Sequence, residues 1–177
     1  MTDETLLINR SQQGDHRAFK ELYERHVVAL FRFMRQYSAD TFQVEEWVQR
    51  AFIKAYRNIG SFQGVSKFNT WLYTIALNEM KTDMRKSNLV TFNSEDIQNW
   101  NGQEEEQMEF VWQETMKSWL TDLPESKRTV FLLYEVEGYS HAEIASMLNI
   151  GVSTSRALLS RAKQFLKTKL ESEEKAA

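Results

Sequence analysis

Cysteine is absent from the 177-residue chain, which excludes disulfides, thiol nucleophiles and cysteine-ligated zinc together. Proline occurs once and glycine six times. With so few helix breakers spread over this length, the fold class predicted is all-α. The three histidines, His16, His26 and His141, have no close pairing, so no metal site is expected from them. No phosphate-binding glycine loop is present, and no cofactor is expected. No apolar run reaches the length of about 18 residues that a membrane helix needs, so no membrane insertion is expected. Asp3 and Glu4 stand where a secretory leader carries basic residues. The compartment expected is therefore the cytoplasm.

What is present is enough to fold: 42% of the residues are hydrophobic and 12% aromatic. The length fits one or two domains. The net charge of −3 would argue against nucleic acid if it were evenly spread, but it is not. Residues 87–116 hold Glu95, Asp96, Glu104, Glu105, Glu106, Glu109 and Glu114 and no lysine or arginine. Residues 151–170 hold Arg156, Arg161, Lys163, Lys167 and Lys169 and no acid. Local charge, not the total, decides where phosphates bind.

Two helical units joined by a polar linker are read from the pattern. In the first, residues 1–86, Asp15 is placed to cap a helix through Phe19, Leu22, Leu30 and Met34. A second helix is expected over 40–58. Its period puts Val44, Val48, Ala51, Phe52, Ala55 and Ile59 on one face, with Glu46, Gln49, Arg50, Ile53 and Arg57 opposite. After a loop with Gly60 and Gly64, a third helix is expected over 68–86. Residues 87–107 lack a period and are read as a flexible acidic linker.

In the second unit, residues 108–177, Pro124 is placed to open a helix that stops at Gly138. Ser140 and Glu143 form a capping-box pattern before a short helix through Ile144, Ala145 and Leu148. Ser153 is expected to cap a last long helix, and the end beyond Leu170 is expected to fray.

A short helix, a tight turn and a longer basic helix make the layout of a DNA-reading helix-turn-helix. Arg156, Ser160, Lys163 and Lys167 fall on one stripe of the last helix, while Leu159, Ala162, Leu166 and Leu170 fall on another. A basic stripe alone is as often a solvated face. Joined to the capping box and turn, it favours DNA. In the first unit, Trp71, Asn78, Lys81, Thr82 and Arg85 share one side of the helix over 68–86, and the loop before it holds Phe62, Gln63, Ser66 and Lys67. Aromatic, amide and basic groups together suit unpaired DNA, since rings stack on bases and cations hold phosphates. Phe68 is read as core; for Trp71 both readings stand.

The run Glu45-Glu46-Trp47-Val48-Gln49-Arg50-Ala51-Phe52, then Phe68 to Ala76, then Asp83-Met84-Arg85, resembles region two of bacterial sigma factors. Leu123-Pro124-Glu125, then Val130 to Ser140, then Glu143-Ile144-Ala145, resembles region four. The ordered pair with a short acidic linker resembles the extracytoplasmic-function (ECF) group, which keeps only these two regions, and the likeness covers nearly the whole chain. It implies a factor that binds RNA polymerase core through the beta-prime and beta subunits and directs promoter-specific initiation. An anti-sigma factor is a common partner in the family.

By the same resemblance, Glu45, Glu46, Val48 and Gln49 match the polymerase-docking segment. Phe62, Gln63, Ser66 and Lys67, with the helix face of Trp71, Asn78, Lys81, Thr82 and Arg85, match the element that melts and captures the downstream promoter box. Ser153, Thr154, Arg156, Ser160 and Arg161 match the helix that reads the upstream box, to which the stripe adds Lys163 and Lys167. The linker matches a segment that threads toward the RNA exit channel. Glu46, Trp47, Arg50, Leu77, Ser155 and Leu158 depart from the family pattern.

Two other readings are open. A stand-alone helix-turn-helix regulator accounts for the second unit but not for the aromatic-basic face of the first. An enzyme built on the acids Glu104, Glu105 and Glu106 lacks a histidine partner, and a solvated charge run accounts for them better.

Overall fold

A computed structural model of the chain describes residues 3–90, 116 and 118–176, and all the regular structure among them is helical. The chain divides into two units, Met1–Ser94 and Glu95–Ala177.

The first unit contains α1 (Asp3–Gln12), α2 (His16–Met34), α3 (Thr41–Asn58), a 3-10 turn (Ile59–Ser61) and α4 (Phe68–Val90). The two central helices begin where the sequence places an aspartate. Asp15 accepts from the N–H groups of Arg17 and Ala18 at 2.9 and 3.2 Å. Asp40 does the same for Phe42 and Gln43 at 2.9 and 3.3 Å. Each carboxylate satisfies two of the four N–H groups that a helix start leaves unpaired.

The predicted inner face of α3 is the observed one: Val44, Val48, Ala51, Phe52, Ala55 and Ile59 are all buried. They meet Leu22, Leu30 and Phe33 of α2 and Phe68, Leu72 and Met80 of α4 in one core. Full burial of each valine, leucine, isoleucine, methionine or phenylalanine among them contributes about 1.5–3 kcal/mol.

Two features of this unit differ from expectation. Helix α1 was not foreseen, and α4 runs four residues past 86, into the stretch read as linker. The rest of that stretch, 91–107, lies outside the described residues.

In the second unit, residues 118–122 are helical and are followed by α5 (Glu125–Phe131), which passes into a π turn (Leu132–Val136), then α6 (His141–Leu148) and α7 (Val152–Ala176). Pro124 immediately precedes α5, as its fixed φ and missing N–H favour. Arg128 Nη2 donates to the carbonyls of Thr121 and Leu123 at 2.8 and 3.1 Å, closing the end of the 118–122 helix. Gly138, at φ +74°, turns the chain out of the π segment, a conformation that costs glycine little. The capping box is complete: Ser140 Oγ accepts from the Glu143 N–H at 3.3 Å, and Glu143 Oε2 accepts from the Ser140 N–H at 2.8 Å.

Two expectations are corrected here. Ser153 does not cap α7; it is the second helical residue, and Gly151 flanks the helix, its carbonyl accepting from the Ser155 N–H at 3.0 Å. The chain beyond Leu170 does not fray. It stays helical to Ala176, with Glu173 accepting from Trp119 Nε1 at 3.2 Å. Among the described residues, no helix is long and apolar enough to cross a membrane.

Candidate functional site

Helices α6 and α7 meet across a tight turn in which Asn149 takes φ 54°, the left-handed region that asparagine tolerates better than most residues. Ile144, Ala145, Leu159, Ala162 and Leu166 are buried at or near the junction. Ser155, one of the departures from the family pattern, is fully buried and polar. Its Oγ lies 2.9 Å from His141 Nδ1, so the buried hydroxyl has a side-chain partner. The His141 ring itself stacks on Tyr134, with 4.5 Å between ring centres.

With α7 held this way, Ser153, Thr154, Arg156, Ser160, Arg161, Lys163 and Lys167 are all exposed on it. Their charges are not equally available. Lys163 Nζ pairs with Glu135 at 2.6 Å and sits 6.0 Å from the Tyr134 ring centre. Lys167 faces Glu171 at 3.8 Å. Arg156 and Arg161 make no ion pair among the described residues. Leu158 is half-buried.

In the first unit, the loop between the 3-10 turn and α4 exposes Gln63, Ser66 and Lys67. Phe68 is core, at 1% exposure. Phe62 and Trp71 are half-buried and lie 5.1 Å apart, and each also touches Phe68, at 6.0 and 5.9 Å between ring centres. Trp71 thus packs on Phe62 and Phe68 while staying partly accessible, which leaves both readings of it open. Further along α4, Asn78, Thr82 and Arg85 are exposed and Lys81 is half-buried.

Two features of this loop had no local signal in the sequence. Val65 stands 91% exposed at its tip, beside Gly64 at φ +69°. Gln12 Nε2, from α1, donates to the carbonyls of Ile59 and Phe62 at 3.1 and 2.7 Å.

On α3, Glu45 and Gln49 are exposed and Glu46 is half-buried. Val48 is only 5% exposed, so its side chain belongs to the core and the accessible part of this set is polar. These residues border a groove between α2 and α3 that is walled by Tyr23, Val27, Phe31, Phe42 and Ile53.

The departures at Glu46, Trp47 and Arg50 form one network. Trp47 is fully buried, and its Nε1–H donates to Asp83 Oδ2 at 3.0 Å. Arg50 bridges Asp83 Oδ1 at 3.2 Å and Glu46 Oε2 at 3.0 Å. The Trp47 hydrogen bond, followed by Arg50, holds the Asp83 carboxyl below the usual carboxylate range against the opposing effect of burial. Leu77, a further departure, is buried at 1% exposure. The acids Glu104, Glu105 and Glu106 lie outside the described residues.

Comparison with known proteins agrees with this geometry. A family model described as sigma-70 region 2 matches residues 22–89, and one described as sigma-70 region 4 matches residues 117–166. Fold and matched regions together define a two-region transcription initiation factor of the sigma-70 type. The ECF RNA polymerase sigma-E factor of Haemophilus influenzae is 32% identical over 97% of this chain and 96% of its own length. The RNA polymerase sigma-H factor of Pseudomonas aeruginosa is 31% identical over 90% of each. Among solved structures, CnrH in complex with the cytosolic domain of CnrY superposes with a TM-score of 0.72 at 26% identity, over 94% of this chain and 96% of that one. The sigma factor RpoE in complex with the anti-sigma factor NepR from Bartonella quintana gives 0.67 at 26% identity, over 86% and 96%. The chain belongs to the ECF sigma-factor family and is an RNA polymerase-binding, promoter-specific initiation factor.

Proposed function

We propose that the two units divide promoter recognition between them. In this reading, residues 1–86 dock on the beta-prime subunit through Glu45, Glu46 and Gln49, with Val48 beneath them. The same unit captures the melted downstream box with Phe62, Gln63, Ser66, Lys67, Trp71, Asn78, Lys81, Thr82 and Arg85. Residues 108–177 read the upstream box as duplex through Ser153, Thr154, Arg156, Ser160, Arg161, Lys163 and Lys167, with 87–107 linking the two. The role is binding, not catalysis, since the polymerase makes the RNA. It is exercised in the cytoplasm, where core and promoter meet. An anti-sigma factor is a further partner in this reading, supported by the Bartonella quintana complex.

The observation that carries the reading is the half-exposed pair Phe62–Trp71 beside exposed Gln63, Lys67 and Asn78. Partly accessible rings near amides and a cation suit unpaired bases, which stack on aromatics while cations hold the phosphates. Run-off transcription with purified core on a random promoter library tests it. Initiation should require both boxes and should fall when Trp71 or Arg156 becomes alanine. Tight binding of the chain to duplex DNA without core, in a gel shift, would instead make it a stand-alone regulator.

A further inference from the structure

Helix α1 has no assigned part in promoter recognition, yet it is fastened at its C-terminal end to the edge of the proposed downstream-box loop and at its N-terminal end to α2. At its C-terminal end, one amide nitrogen of Gln12 reaches two carbonyls, Ile59 O at 3.1 Å and Phe62 O at 2.7 Å. Ile59 O also accepts from the Phe62 N–H at 3.1 Å, so the Gln12 amide adds a second donor at the closure of the 3-10 turn and ties Phe62 O to it. At its N-terminal end, Glu4 lies 2.6 Å from His26 Nε2, and Asp3 pairs with Arg25. His26 in turn packs on Phe68 at 5.2 Å, and Phe68 touches both Phe62 and Trp71. Between the two ends, Leu7 and Ser11 are buried, so the helix cannot roll freely on α2. Two separate routes therefore lead from α1 to Phe62, one to its carbonyl and one to its ring.

We infer that Gln12 is a positioning residue for downstream-box recognition, fixing through the carbonyls of Ile59 and Phe62 the path of the loop that meets the unpaired bases. The inference rests on the assignment of that loop to the downstream box. The residues after Phe62 have no regular structure of their own, and Gly64 sits in the left-handed region. A loop of this kind takes its geometry from where its ends are held. Recognition of a base needs its partners placed to within a fraction of an ångström. A shift at Phe62 O is carried directly to Gln63 and to the Phe62 ring.

The test is transcription by reconstituted holoenzyme across promoters bearing single-base changes in both boxes. Gln12→Ala removes the donor; Gln12→Glu keeps the shape but sets a carboxylate against two carbonyls. Phe62→Ala and Lys67→Ala report on the loop itself. Both Gln12 variants should lower preference at one or two downstream positions by about three- to ten-fold, the factor carried by one net hydrogen bond. The upstream profile and core binding should be unchanged, and the melting temperature should fall by no more than the few degrees that one hydrogen bond is worth. A downstream profile that is only a scaled copy of wild type, or a parallel loss at both boxes, overturns the inference. If the loop variants also give scaled copies, the loop assignment fails and the inference falls with it. If they reshape the profile while the Gln12 variants do not, only the role of α1 is lost.

Discussion

The buried indole of Trp47 on α3 donates to a single carboxylate on α4, Asp83, at 3.0 Å, and no other polar group of Trp47 needs satisfying. Arg50 completes the site from one turn further along α3. The bond joins α3 and α4, the two helices that carry the proposed docking residues and the proposed downstream-box face.

The Asp83 carboxyl is held low by Trp47 and then by Arg50, so its folded-state pKa lies below its unfolded one near 3.9. A depressed carboxyl adds stability that is fully present above the unfolded pKa and is lost as pH falls through the folded value. The melting temperature of the first unit should therefore hold from neutral pH to about 5 and drop below about 4. Asp83→Asn should cost about 1–2 kcal/mol at pH 7 and flatten that acid-side drop. An unchanged acid limb in the variant would show that other carboxylates govern it.

The docking face gives a second prediction. Glu46 is not a clean probe, because it pairs with Arg50 at 3.0 Å and a lysine there would crowd that guanidinium. Glu45 and Gln49 are exposed and make no such pair among the described residues. Glu45→Lys with Gln49→Ala should weaken association with core about ten-fold or more at low salt, as loss of charge complementarity does. Helicity and melting temperature should stay within error. Intact pull-down of core by this double variant would move the docking site elsewhere.

What the sequence made legible was local. Asp15, Asp40 and the Ser140–Glu143 box announce helix starts because their partners are two or three residues away. The inner face of α3 follows from a 3.6-residue period. What it hid depends on distant partners. Helix α1 is short and weakly periodic, and it is fastened by Gln12 to residues 47 and 50 positions away. Trp47 reads only as a departure from the family pattern until Asp83, 36 residues on, receives its N–H. Ser153 looks like a cap because serine is a common one, yet Gly151 takes that place. For the sets proposed to meet DNA, residue type was legible and so was exposure on α7, whereas Phe62, Trp71 and Lys81 are half-buried. The neutralisation of Lys163 by Glu135 was not, since those residues lie on separate helices.

Ser155 and His141 supply a third prediction. The hydroxyl is fully buried at 2.9 Å from the ring nitrogen, so Ser155→Ala leaves a polar atom of His141 unmatched inside the helix-turn-helix. The second unit should lose about 1–2 kcal/mol. Ser155→Ala with His141→Phe removes both polar atoms, retains a ring against Tyr134, and should recover part of that loss. Thermal melts of the four proteins in the cycle decide it; strict additivity would mean that the pair does not interact.

Lys163 spends its charge within the protein, on Glu135 at 2.6 Å. Glu135→Gln should free it for phosphate. All promoters should then bind the holoenzyme more tightly at low salt, and the salt dependence should steepen by about one unit of slope. Lys163→Ala in the wild-type background should change that slope by less, because the charge it removes is already partly neutralised. Equal slopes for wild type and Glu135→Gln would place Lys163 away from the DNA.

Arg156 is the residue on which base reading is expected to turn. It lies in the first two turns of α7, where a recognition helix places its base contacts, and it is exposed without an ion pair among the described residues. Its planar fork matches the two acceptors of guanine, a contact worth about 1–3 kcal/mol of discrimination against other bases. A phosphate contact by the same side chain would strengthen binding but carry no sequence information. The two roles separate in a profile of holoenzyme transcription across single-base variants of the upstream box. Under base reading, Arg156→Ala flattens the profile at one or two adjacent positions and leaves the others as they were. Arg156→Lys should not restore it, because a lysine offers a point charge in place of the fork. Under phosphate contact, Arg156→Ala lowers every variant by one common factor and Arg156→Lys recovers most of the loss. That second pattern would remove Arg156 from the base-reading set and leave the upstream preference to Ser153, Thr154 and Ser160.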